Sequence, residues 1–136
     1  MSNQTHNAFL RNAMLIDATA SAAMGLLMAA AAVPLSGLLG LPEMLLRICG
    51  VALLPYAAIL AFSGTRPVIN SIIVRLVIAG NLLWTVASGV LLVSGWVSPS
   101  ALGYAFVLLQ ALAVLGFAEF QIIGLRRQRH PMAIVA

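Results

Sequence analysis

Seven arginines and three acidic residues are the only charged side chains among the 136 residues. Three of them, Asp17, Arg75 and Glu119, interrupt stretches that are otherwise apolar. An ionisable group inside a membrane costs roughly 2.5 to 3.5 kcal/mol on insertion scales, which makes each a functional candidate by default. Counted from the ends of their apolar runs at about 1.5 Å per residue, all three lie roughly 5 to 10 Å deep in one layer. Arg75 is therefore expected to pair with Asp17, Glu119 or both, with Arg11 near enough to snorkel into the same group. Such a cluster either fixes helix register as a structural ion pair or offers a carboxylate to a proton or a substrate. Asp17 suits the second role better, because Glu119 lies nearer a basic, exposed terminus.

Neutral polar residues form a second constellation. Asn81, Thr85 and Ser88 fall on one helical face beside Trp84, while Gln110 and Gln121 align with Gly103, Phe117 and Gly124 on another. They could line a polar path, or bond between helices for about 0.6 kcal/mol each. Glu119 points about 180° away from the glutamines. Either Glu119 or the glutamine face must then meet a second subunit, another membrane chain or water, which predicts a homo-oligomer or a hetero-assembly.

Other chemistry lacks its residues. Cys49 is the single cysteine, and His6 and His130 lie in polar tails. No disulfide within the chain, metal cluster or haem ligation is expected, and no cofactor. Met24 and Met28 read as soft packing residues in place of a Cu(I) pair. No nucleophile, base and metal set is present, so an enzyme is not expected.

The elements that must position these groups are membrane spans. A chain that is 62% hydrophobic, 7% charged and has a mean hydropathy of +1.09 cannot be an ordinary soluble domain, which carries about 25% charged residues. Ala101 to Leu125 is nearly unbroken apolar sequence. As a helix it reaches roughly 37 Å, enough for a hydrocarbon core of about 30 Å. The expectation is an all-α, integral-membrane four-helix bundle in one domain, with spans at about 13–39, 43–62, 72–94 and 101–125. Met1 to Asn7 reads as a disordered lead. Pro34 to Pro42 reads as a turn-rich but apolar outer segment. Pro42 and Glu43 read as a helix start with Arg47 one turn on, Asn70 or Ser71 as an N-cap, and Ser98-Pro99 as the cap of the last span. Pro55 would kink the second span. Ser21 and Gly25 would let the first helix approach a neighbour closely.

Basic residues beside spans stay on the cytoplasmic face. Arg11, Arg66, Arg75, Arg126, Arg127 and Arg129 fall on one side of such a bundle and Arg47 on the other. Both termini are thus expected inside, with a single orientation. A pI near 10.7 reflects these topology signals and headgroup contacts, so the expected partner is the lipid bilayer and not nucleic acid.

Gly80 to Arg127 resembles a group of small uncharacterised bacterial four-span inner-membrane proteins. The likeness rests on Asn81-x-x-Trp84, Trp96-x-x-Pro99, Gln110 and the Glu119-x-Gln121 to Gly124-Leu-Arg-Arg ending. It implies a fold and a location, the inner membrane, but no activity. The small multidrug resistance transporters also carry an acid in the first of four spans, but Asp17 stands in place of their glutamate and their later aromatic signature is missing. The leading expectation is an accessory, assembly or binding subunit acting through helix contacts. The rival is a small-solute or proton-coupled transporter using Asp17, with Asn81 and Gln110 along the path.

Overall fold

The structure, a computed structural model, describes residues 2–129, with side chains from 8 to 128. His6 and Arg129 as side chains, and His130 altogether, lie outside the described residues. With no water to satisfy a backbone in lipid, long apolar runs fold as helices that close their own hydrogen bonds. The described residues form five helices: α1 (Ser2–Ala30), α2 (Ala32–Leu39), α3 (Glu43–Gly64), α4 (Ser71–Val93) and α5 (Ala101–Arg129). Four of them are long and apolar enough to cross a membrane.

The first span differs from expectation at both ends. It begins at Ser2, so the segment read as a disordered lead is helical. It also stops at Ala30, where the expected helix continued to Leu39; Ala31 leaves helical geometry at φ −106°, ψ 25°, and α2 starts as a separate short helix. Pro34 supplies the reason. Lacking an N–H, it cannot bond the carbonyl four residues back, that of Ala30, and its ring crowds that oxygen. The helix breaks there, and Pro34 sits in the first turn of α2, where no donor is needed. Gly40 then ends α2 at φ +66°, a left-handed conformation natural for glycine.

α3 starts after Pro42 with Glu43 in its first turn, and the Arg47 guanidinium meets Glu43 at 2.8 Å. The helix continues through Pro55. Asn70 caps α4 by accepting the Ile72 N–H at 2.9 Å. The last helix is capped by Ser100, not Ser98: its hydroxyl accepts the Gly103 N–H at 3.1 Å. Ser100 also donates its hydroxyl to the Leu38 carbonyl and its N–H to the Leu39 carbonyl. One residue thereby starts α5 and satisfies carbonyls that the end of α2 leaves open.

α1 packs on both α3 and α5, and α4 packs on α5. The α1–α3 contact is made through glycine. A Cβ on either Gly25 or Gly50 would stand 2.8 Å from the other's carbonyl oxygen, so only glycine permits this approach. Two apolar cores close the ends of the bundle. Leu10, Met14, Leu60, Val74, Val77 and Leu125 fill the end where α1 begins, and Met28, Leu39, Leu46, Leu53, Val97 and Val107 fill the end near α2. Between these cores the backbones of α3 and α4 stay apart and the helices meet through the Tyr56 side chain. Polar residues and open space occupy that middle layer.

Candidate functional site

Asp17 lies on α1 between the buried Met14 and Ala18 and is itself 1% exposed. Each long helix sends it or its partners one side chain. Asp17 Oδ1 accepts from the Ser21 hydroxyl at 3.0 Å, one turn along α1. Asp17 Oδ2 accepts from Asn81 Nδ2 of α4 at 2.9 Å and from Gln121 Nε2 of α5 at 2.7 Å. Asn81 Nδ2 also donates to Gln121 Oε1 at 3.0 Å. Tyr56 of α3 closes the set, donating to Asn81 Oδ1 at 2.7 Å with its hydroxyl 3.5 Å from Asp17 Oδ2. A tyrosine has one hydroxyl proton, and the short contact to Asn81 takes it. Asn81 and Gln121 are as deeply buried as Asp17. In a low-dielectric interior such a network tolerates no idle member, because each unpaired polar atom costs about 1 to 3 kcal/mol.

This arrangement corrects the expected charged cluster. Arg75 and Glu119 are both exposed and do not face Asp17. Arg11 turns to the carbonyls of Arg66 and Pro67, at 2.8 and 3.4 Å. Among the described residues the one ion pair is Arg47 with Glu43, at the opposite end of the bundle. Equal depth was not enough, because depth says nothing about azimuth. Arg75 is six residues before Asn81, and at about 100° per residue it points roughly 120° away from the face that carries Asn81. The buried positions Val74 and Val77 share the Asn81 face, and Arg75 does not.

The polar stripes divide as well. Asn81 and Gln121 enter the Asp17 network. Thr85 and Ser88 instead return their hydroxyls to α4, to the carbonyls of Asn81 and Trp84. Gln110 faces inward, with Met28 Sδ 4.0 Å from its amide nitrogen. The glutamine face of α5 is thus the inner one, and Glu119 is on the outside next to the exposed Phe120. Tyr56 is the site residue that sequence reasoning missed. Its signal was present, since a phenol in the middle of an apolar span must find a hydrogen-bond partner.

Beside the network lies a cavity of about 540 Å³ with walls from all four long helices. Ser21, Tyr56 and Asn81 belong both to its wall and to the hydrogen-bond set around Asp17. Trp84, Phe106 and Phe117 supply aromatic surface, and among the described residues no charged side chain lines it. A second cavity of about 270 Å³ continues toward α2 and shares Trp84, Phe106 and Gln110 with the first. The volume is that of a small-molecule site, in the range of about 300 to 1,000 Å³ typical of ligand pockets.

The chain matches no protein-family model, no curated protein and no solved structure.

Proposed function

We propose that this chain is a small multi-pass protein of the bacterial inner membrane, with both termini cytoplasmic, and that it acts as a binding subunit. Its ligand is a neutral, membrane-dissolved small molecule held in the cavity between α3 and α4. One observation carries this reading: Ser21, Tyr56 and Asn81 shape the cavity wall while being held in place around Asp17. A pocket whose polar wall is fixed from behind is preorganised for a ligand, which lowers the entropy lost on binding. The absence of charge from the wall favours a neutral molecule over an ion. The orientation is supported by the arginines. Arg11, Arg66, Arg75, Arg126 and Arg127 lie toward the end where α1 begins, and Arg47 lies at the other.

Glu119 favours a second role for the same chain, assembly with another membrane chain or a second copy. An exposed acid on the outward face of α5, among Phe120 and Ile123, gains from a partner helix that hydrogen-bonds it. Native mass spectrometry of the tagged chain, extracted from its own membranes in mild detergent, tests both roles. A bound small molecule that is lost in Ala113→Phe, which fills the cavity, supports the binding role. A stoichiometric second chain that is lost in Glu119→Leu supports assembly. A bare monomer in all cases sinks both.

A further inference from the structure

We propose that the two cavities together hold one elongated neutral ligand: a ring bearing a carbonyl oxygen, seated in the larger cavity, with an aliphatic tail running into the smaller. This rests on the binding role proposed above and names the chemistry of its ligand. Shape is the first support. Both cavities lie between α3 and α4, and Trp84, Phe106 and Gln110 line both. From Asn81 to Leu91 along α4 their combined wall runs about 15 Å at ~1.5 Å per residue. With the backbones of α3 and α4 apart, a molecule dissolved in the lipid enters sideways.

The residues shared by the two cavities carry the polar signal. Trp84 Nε1 is buried and has no hydrogen-bond partner among the described residues. The Gln110 amide nitrogen has Met28 Sδ at 4.0 Å, and a thioether is a weak acceptor. Two N–H donors therefore stand without an oxygen where the cavities join. A buried donor left unpaired is costly, and an acceptor brought by a ligand relieves it. Gln110 lies about 14 Å from the start of α5 at ~1.5 Å per residue, near the middle of a hydrocarbon core of about 30 Å. An ordinary phospholipid chain carries no polar atom to that depth, so the ligand must bring its oxygen inward. A carbonyl suits two donors better than a hydroxyl, whose own proton would need an acceptor in turn. The surrounding wall is aromatic, with Trp84, Phe106 and Phe117 beside Tyr56, a surface on which a ring packs by stacking or edge contacts. The smaller cavity, about 270 Å³ and walled by Leu41, Leu45, Leu46 and Leu91, fits the tail.

The test uses Trp84 as its own reporter. Trp84 and Trp96 are the two tryptophans of the chain, so Trp96→Phe leaves Trp84 alone. A benzoquinone ring quenches a nearby indole, and the probe is decylbenzoquinone, titrated into the purified Trp96→Phe chain in mild detergent. Its concentration is counted per detergent molecule, so that partition into the micelle cancels. The expected result is quenching that saturates and that is lost when Ala113→Phe fills the larger cavity. Gln110→Met, equal in length but without the N–H, is expected to weaken binding about fivefold, the loss of one hydrogen bond; should it fail to fold, Gln110→Leu replaces it. Methylbenzoquinone, which lacks the tail, is expected to bind severalfold more weakly, and that difference should vanish in Ala87→Phe, which narrows the smaller cavity. Unchanged affinity in Gln110→Met, or displacement of the probe by decane at equal concentration, overturns the proposal and leaves the cavities to any aliphatic chain. Quenching that never saturates, or that is equal in Ala113→Phe, overturns it as well. The binding role then stands or falls separately, on whether a native small molecule travels with the chain in the mass spectrum.

Discussion

The Tyr56 hydroxyl on α3 donates to Asn81 Oδ1 on α4 at 2.7 Å, joining two helices whose backbones approach each other far less closely than those of α1 and α3. The contact has a further consequence, since Asn81 in turn donates to Asp17 and Gln121. Fixing one amide therefore orients a network drawn from four helices. Removing the phenol oxygen leaves Asn81 Oδ1 without its donor. Tyr56→Phe is expected to destabilise the bundle by about 0.5 to 2 kcal/mol. Unfolding in detergent with increasing denaturant reads this directly. Combined with Asn81→Leu, the loss should be smaller than the sum, because both changes break the same bond. Additive losses would show that the contact carries no energy.

The glycines of the α1–α3 seam give a sharper contrast. A Cβ on Gly50 would meet Ala29 N at 2.5 Å and Gly25 O at 2.8 Å, both backbone atoms that cannot move aside. Gly50→Ala is expected to cost about 1 to 3 kcal/mol through overpacking. Gly89 on α4 has nothing within 4 Å of its added methyl. There the same substitution should be neutral or slightly stabilising, by helix propensity. Equal effects at the two positions would mean that the seam is looser than it stands here.

The outward positions of Arg75 and Glu119 make them poor stability determinants. Arg75→Gln and Glu119→Gln are each expected to change stability by less than about 0.5 kcal/mol in the isolated chain. Asp17→Ala strands Asn81 and Gln121 and should cost considerably more. The double variant of Arg75→Gln with Asp17→Ala should be additive. A coupling above about 0.5 kcal/mol would restore the ion pair that the geometry separates.

The four long apolar helices were legible because uninterrupted apolarity, the Pro42–Glu43 helix start and the Asn70 cap are local properties of the chain. Ser21 and Gly25 announced a close helix contact, though not that Gly50 would be its other half. Periodicity places Gln110, Gln121 and Gly124 on one face of α5 opposite Glu119, but which of the two faces is the inner one is decided only by the contacts of Gln110 and Gln121. Which charges meet was not readable from depth, because pairing depends on how each helix is rotated about its axis. Asn81 and Gln121 took the place expected for Arg75: neutral amides can satisfy a carboxylate without bringing a second charge out of water. The sequence signals a turn-rich segment from Pro34, but the break falls earlier, at Ala31, and residues 32–39 are helical, because a proline fits the first turn of a helix.

The orientation of the bundle can be read with single cysteines, because Cys49 is the chain's one native thiol and is partly buried in a span. Val68 stands 78% exposed in the turn between α3 and α4, near Arg66 at the arginine-rich end. Trp96 is 69% exposed just past α4, at the end of the bundle near α2. The proposed orientation has Val68 inside and Trp96 outside. In a Cys49→Ala background, Trp96→Cys should react with a membrane-impermeant thiol reagent in spheroplasts, and Val68→Cys only after permeabilisation. The reverse pattern would invert the bundle. Partial labelling of both in intact spheroplasts would mean two orientations, which the skew of the arginines argues against.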